Sequence, residues 1–497
     1  MKHIRLYQTV EKFDTDYYGQ KYNEPWLSLT IEGEVSKYNK QPLRFNILGD
    51  GDIKWVTNSP NLKRTIEYKL NDGEWIEITS DTGSSAPSIS VKAGDVLRLR
   101  GNNSEYGSYT YFDTFSGSTA NFEIVGDIES LTNGSTQIHS YDFQFLFAGC
   151  TGLTSAENLI LPATTLAYQC YDGMFLGCTN LTKAPELPAT TLAKDCYSGM
   201  FHGCTSLTQA PELPATTLAD YCYASMFWDC TSLTTAPELP ATTLTRSCYQ
   251  NMFQNCTSLT KAPELPATTL AKSCYESMFS ACTSLTTAPE LPATTLADDC
   301  YDSMFRDCTS LTTAPELPAT TLAKDCYAYM FDGCTSLTKA PELPVTTLAN
   351  SCYCNMFYGC RSLTQAPELP ATTLVDSCYR RMFGNCTGLT KAPELPATTL
   401  ADWCYERMFY NCTNLVKAPE LPAPILKEKC YEEMFRDCTN LNYVKCLATD
   451  ISANSSTYYW LYGVPPTGTF VKHPDMNDWP RGINGIPNGW TVQDVQL

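Results

Sequence analysis

The sequence predicts an α/β repeat solenoid of 26-residue coils with an antiparallel β-sandwich at its N-terminus. Three observations carry this reading. First, the stretch ELPATTLAKDCYSGMFHGCTSLT at 186–208 returns 26 residues later as ELPATTLADYCYASMFWDCTSLT, and then again down the chain. A fixed period of this length marks a stacked repeat array. Second, all but Cys354 and Cys446 of the 25 cysteines follow the same repeat. None precedes Cys150, eleven sit in Cys-Tyr pairs from Cys170 to Cys430, and eleven more follow eight residues behind, from Cys178 to Cys438. Third, alternating apolar runs between residues 43 and 127 are joined by Gly-Asp or Asp-Gly turns, the pattern of antiparallel strands.

Taken in order, residues 1–42 are polar and aromatic without period and read as an attachment arm, a place for homo-oligomer contacts. Residues 43–130 read as an Ig-like β-sandwich. Its segments LRFNILGDGDIKWV, TIEYKLNDGEWIEIT and SISVKAGDVLRLRG each read as a hairpin, and NFEIVGDIESL closes the set. The solenoid, of about twelve coils, occupies 131–447 and opens with Phe143, Phe145 and Phe147. Residues 448–497 read as a C-terminal cap, because a solenoid must cover its last apolar coil and Trp460, Trp479 and Trp490 lie there.

Within a coil, Leu192, Cys196, Met200 and Cys204 are four apart, and so are Ala193, Tyr197 and Phe201. Two adjacent rows of that spacing predict the apolar stripe of a short helix. Thr191 is the expected N-cap; the related Thr217 and Thr295 have Asp220 and Asp298 three places later, near a capping box. The residue before the second cysteine is Gly, Asp or Asn in ten of eleven coils, with Ala281 the exception. Those types enter a left-handed backbone most readily, so a turn is expected there. Beyond it the spacing becomes three: Leu207, Ala210 and Leu213 point inward with Pro211 and Pro214 between them. Proline cannot donate to a central ladder, so a short strand near Cys204–Thr208 should run into a polyproline-like return. No coil can bury its own stripe, and the array is expected to be stable only as an array.

Composition excludes several functions. The net charge of −19 argues against a nucleic-acid partner. No stretch approaches 18 consecutive apolar residues, so membrane insertion is not expected, and the N-terminal residues do not read as a secretory signal. The cysteines lack the short Cys-x-x-Cys pairing of zinc sites; Cys352 and Cys354 form a lone Cys-x-Cys at a variable position. Two readings of the thiols stay open: bridges between coils, such as Cys178 to Cys196, or free thiols acting as small apolar wedges. Glu186 recurs at a 26-residue period to Glu420, readable as a calcium strip or as a solvated edge partly paired with Lys183 and Lys261. His3, His139, His202 and His473 are scattered, and no Gly-rich phosphate loop exists. No cofactor, metal or catalytic set is expected.

What remains is variation between fixed neighbours. Between Met-Phe and the second cysteine the first residue is Leu176, His202, Trp228, Gln254, Ser280, Arg306, Asp332, Tyr358, Gly384, Tyr410 or Arg436. Stacking demands no such mixture, so the position is expected to face outward, through drift or through selection for binding. Aromatic and basic types are favoured at hot spots, so the candidate ligand-binding face is His202, Trp228, Gln254, Arg306, Tyr358, Tyr410 and Arg436. A second row, holding Lys183, Gln209, Thr235 and Lys261, stays Lys, Gln or Thr until Tyr443.

The run MFHGCTSLTQAPELP, with Phe-x-x-Cys-x-x-Leu leading into a Pro-bounded segment, resembles the BspA-like leucine-rich repeats of bacterial and phage surface proteins. The resemblance covers 131–447; the unit has three residues more than the usual one and a Met before the Phe. GTFVKHPDMNDWPRGINGIPNGWTVQ at 468–493 is similar to the C-terminal segment of repeat proteins from gut Bacteroidales and their phages. The resemblance implies a leucine-rich-repeat-like, non-enzymatic adhesion or receptor-binding protein. Its expected partner is a bacterial or host surface protein or glycan, and its expected place a phage virion or prophage product. An exported bacterial adhesin and a structural virion spacer are the alternatives.

Overall fold

The computed structural model describes residues 41–61, 63–104, 106–108, 110–132 and 137–496. The arm read over 1–42 lies, but for its last two residues, outside these. The N-terminal strands are β1 (Leu43–Gly49), β2 (Gly51–Lys54), β3 (Val56–Thr57), β4 (Thr65–Leu70) and β5 (Ile76–Thr79). They continue with β6 (Ser88–Val91), β7 (Val96–Gly101), β8 (Asp113–Thr114), β9 (Asn121–Asp127) and β10 (Leu153–Ile160). Six of them form one sheet in the order β10-β9-β1-β7-β4-β5, while β2 pairs with β6 and β3 with β8. Alternation places Leu43, Phe45 and Ile47 of β1 in the core, as a half-buried strand requires.

Of the three expected hairpins, only TIEYKLNDGEWIEIT is one: β4 pairs with β5, and Asn71 takes the left-handed conformation (φ 51°) at the turn. β1 pairs with β7 and β9 while β2 pairs with β6, and β6 and β7 likewise part company. Alternation reports that one face of a strand is buried, not which strand lies beside it. The Gly-Asp turns there carry the chain from one sheet to another.

The N-terminal sheet and the repeats share a core. Phe45 lies 4.8 Å from Phe122, 5.1 Å from Phe115 and 6.1 Å from Phe147, ring centre to ring centre. Phe147 in turn stacks on Phe175 at 5.4 Å. β10 belongs to the first coil and pairs in parallel with β9. The stack therefore grows directly from the edge of the six-stranded sheet.

The predicted helix does not form, and no α-helix exists among the described residues. Residues 193–204 instead make overlapping four-residue turns. The N–H groups of Cys196, Ser198, Met200, His202 and Cys204 each donate to the carbonyl three residues back. Those of Asp195, Tyr197, Gly199, Phe201 and Gly203 donate to the next coil, at Asp220, Cys222, Ala224, Met226 and Trp228. Every fourth residue is left-handed: Asp195 (φ 55°), Gly199 (57°) and Gly203 (74°). This explains both the spacing of four and the absence of a helix, which would keep all its donors to itself. Here half the donors close turns and half join coils. The expected capping carboxylates serve the junction too: Asp220 accepts from the Arg246 N–H and Asp298 from the Lys324 N–H.

The left-handed residue before the second cysteine is present in every coil, including Ala281 at φ 59°. Inside, Tyr rings stack 5.7–6.1 Å apart from Tyr171 to Tyr431, and Phe rings 5.4–5.8 Å apart from Phe175 to Phe435. Such pairs add about 0.5–1.5 kcal/mol each beyond the area they bury. All 25 cysteines are buried and free. The second of each pair donates its thiol to a Phe carbonyl of the preceding coil, as Cys204 does to Phe175 at 3.2 Å.

The strand expected near Cys204–Thr208 is replaced by single parallel bridges further on, such as Gln209↔Thr235 and Thr287↔Thr313. Pro211 and Pro214 lack the N–H groups a longer ladder needs. A true sheet returns only at the C-terminal end, where β11 (Lys417–Leu421), β12 (Tyr443–Cys446), β13 (Thr469–Lys472) and β14 (Thr491–Asp494) pair in parallel. Proline survives there only in β11, at the sheet's edge. The segment read as a cap holds one more coil: Glu433, Phe435 and Asp437 donate to Tyr458, Trp460 and Tyr462, and Gly463 closes it at φ 79°. Trp460 stacks on Tyr431 at 6.2 Å on one side and on Trp479 at 5.6 Å on the other.

Candidate ligand-binding face

The variable residues stand in one column. Each lends its backbone carbonyl to the left-handed residue of the preceding coil: His202 to Gly177, Trp228 to Gly203, Gln254 to Asp229, Arg306 to Ala281. Tyr358, Tyr410 and Arg436 do the same for Gly333, Asn385 and Asn411. The side chains are thus mounted on a hydrogen-bonded ladder. The column continues to Tyr462, which the sequence reading missed although it falls 26 residues after Arg436.

Its exposure differs from expectation. Arg306 is exposed, whereas His202, Trp228, Gln254, Tyr358, Tyr410 and Arg436 are half-buried, and Ser280 and Gly384 are buried. Neighbours one coil apart cover each other, as the coil spacing demands. His202 stacks on Trp228 at 4.8 Å and nearly parallel, its Nε2 lies 3.5 Å from Asp229, and the indole N–H of Trp228 is buried without a partner among the described residues. Arg306 lies 3.5 Å from Asp332, over the ring of Tyr329. Burial pushes the Asp332 carboxyl up to about 6, against the pull of Arg306.

Near the C-terminal end the column joins a denser set of groups. Tyr358, Tyr410 and Arg436, with Arg381, Arg407 and Glu433 from the turn before, line a cleft of about 250 Å³. Arg407 grips Glu433 through two bonds, at 2.8 and 3.1 Å, and Arg436 adds a third at 3.0 Å. Burial pushes the Glu433 carboxyl up, but the two guanidinium groups outweigh it and hold it below the ordinary carboxylate range. Buried Glu406 takes Arg380 closely and Arg381 at 3.4 Å. Arg436 is ringed by Tyr410, Tyr459 and Tyr462 at 5.4–5.8 Å.

Other candidates hold less. Of the exposed acidic edge, Glu420 is paired with Lys445, while Lys183 goes to Glu157, outside the 26-residue series, and not to Glu186. Among the described residues no group of three or more His, Cys, Asp or Glu is placed to hold a metal ion. His139 and His473 each sit beside an aspartate, at 3.3 and 3.7 Å, with no nucleophile in the set; His3 lies outside the described residues.

The repeat architecture agrees with comparison against known families. The BspA-type leucine-rich repeat region matches in six copies, over residues 127–260, 221–356 and 350–460. The chain belongs to this family. No match is found among curated proteins. Among the described residues no helix is long and apolar enough to cross a membrane.

Proposed function

We propose that the protein is a non-enzymatic adhesion or receptor-binding protein that presents its variable column to a surface protein or glycan of a bacterial cell. The observation that carries this reading is a contrast. Cys, Tyr, Met and Phe columns scarcely change from coil to coil, while the column from Leu176 to Tyr462 changes at nearly every step. Membership of the BspA-type repeats, a family consistent with surface adhesion and protein binding, supports the reading. The Ig-like sandwich read over 43–130 is the mount, the arm at 1–42 is the point of self-association or attachment, and the end segment from 448 seals the stack. The carrier is a phage or prophage particle and the target a Bacteroidales cell, in keeping with the likeness of residues 468–493 to proteins of that origin. Labelled protein should bind a subset of a Bacteroidales panel, and Trp228→Ala or Tyr358→Ala should weaken binding at least tenfold. Undiminished binding by both variants would remove the column from the function.

A further inference from the structure

We infer that the cleft of Tyr358, Arg381, Arg407, Tyr410 and Arg436 binds an acidic saccharide, a sugar ring bearing carboxylate or sulfate. The inference rests on the adhesion reading above and names the ligand class of one part of that face.

Charge is the first argument. The chain carries −19, yet three guanidinium groups and one carboxylate line this cleft, the other carboxylates in contact with them, Glu406 and Asp437, standing outside its lining. Shape and lining come second. Two tyrosines stand two coils apart with Gly384 between them, and a side chain at 384 would come within 2.8 Å of the Tyr358 ring. The glycine therefore lets that ring lie down over its coil. Aromatic faces beside fixed forks of N–H donors suit a ring with an anionic substituent, since the fork matches planar oxyanions and the aromatic face takes C–H surface. The cleft, at about 250 Å³, is smaller than pockets for drug-sized ligands and admits one ring or a chain end.

Backbone strain marks the same residues. Arg381 (φ 52°), Arg407 (53°) and Glu433 (52°) are all left-handed. The equivalent residues in earlier coils are Gly173, Gly199, Ser225, Asn251, Ser277, Ser303, Tyr329 and Asn355; all but Tyr329 are small or tolerate that conformation. Bulky residues there cost about 1–2 kcal/mol each, and strain of this kind gathers at functional sites. The stack does not need those arginines, since most coils lack them. Arg381 is moreover underused: its buried Nε finds no partner among the described residues, and its contact with Glu406 is a loose 3.4 Å.

The test is calorimetry of the full chain with three oligosaccharides of equal length: a polyuronate, a sulfated glycan and a neutral glycan. One acidic ligand should bind at least tenfold more tightly than the neutral one, more weakly as salt rises, and the acidic arm that binds identifies the substituent. Arg381→Gln and Tyr410→Ala should each lower that affinity at least tenfold. Gly384→Ala, which alters no charge, should lower it by displacing Tyr358; thermal melts confirm that each variant is folded. Equal binding of acidic and neutral sugars, or full affinity in all three variants, overturns the inference. So does inorganic sulfate that competes as well as the saccharide does, mole for mole. If the acidic sugars fail while cells still bind through Trp228, only this inference falls. If they bind while no cell does, the adhesion reading falls instead.

Discussion

At the scale of single residues, the interior tolerates polar atoms it does not use. Tyr301 is 1% exposed and stacks on Tyr275 and Tyr327 at 5.8 Å, yet its hydroxyl is buried without a partner among the described residues. A buried hydroxyl with no hydrogen bond costs about 1–3 kcal/mol, whereas the ring does the packing. Tyr301→Phe should therefore leave stability unchanged or raise it by up to about 1 kcal/mol, read as an equal or higher urea midpoint. A drop of that size would mean the hydroxyl has a partner, such as a buried water. The sequence made the aromatic column legible as core, since Tyr and Phe keep the 26-residue beat. It could not reveal which hydroxyls find partners, because that depends on distances across coils.

At the scale of the element, the four-residue spacing was read as a helix and is a run of turns. Both place side chains on one face every fourth residue, so apolar spacing alone cannot separate them. The residues between the apolar ones can. Asp195, Gly199 and Gly203, or Ser247, Asn251 and Asn255, recur every fourth place and are poor in helix interiors but at ease in left-handed turns. Only the last of each trio was legible as left-handed, because it stands beside an obvious boundary. Ala281 tests the account, being left-handed without a glycine's freedom or a polar side chain to help. Ala281→Gly should stabilise the protein by several tenths of a kcal/mol, after about 0.5–1 kcal/mol of backbone entropy is set against a strain of about 1–2. The reverse change has a clean site in Gly359. A Cβ there would meet nothing closer than 3.7 Å, so Gly359→Ala reports strain alone and should cost about 1–2 kcal/mol. Urea unfolding of the pair should move in opposite directions; movement the same way would contradict the turn geometry. The functional column was legible for a related reason, as the one place where repetition lapses. Arg381 and Arg407 escaped notice because their strain appears only with the backbone angles.

For the whole molecule, the decisive property is that one interior is repeated many times, so a weakness in one coil is a weakness in all. The thiols are the clearest case. Burial pushes Cys178, Cys196, Cys248 and Cys282 up to about 12 from an ordinary value near 9, and the tyrosines of the stacked column above their own ordinary value. The folded chain thus holds protons that the unfolded chain releases above about pH 9. Their stabilising contribution is complete below that pH and is lost as pH rises toward 12. Each buried thiol removes about 1.4 kcal/mol per pH unit across this window. Summed over many coils, one unit exceeds the roughly 5–15 kcal/mol that holds an ordinary domain together. Stability should therefore be level from pH 7 to 8.5 and then fall far more steeply than for a protein with one or two buried thiols. The array should unfold cooperatively before pH 11, because each coil is stable only between its neighbours. Urea midpoints measured in reductant at half-unit steps, with circular dichroism, check this. A midpoint still unchanged at pH 10.5 would mean that water reaches the cysteine columns, and that the stack is less dry than its geometry.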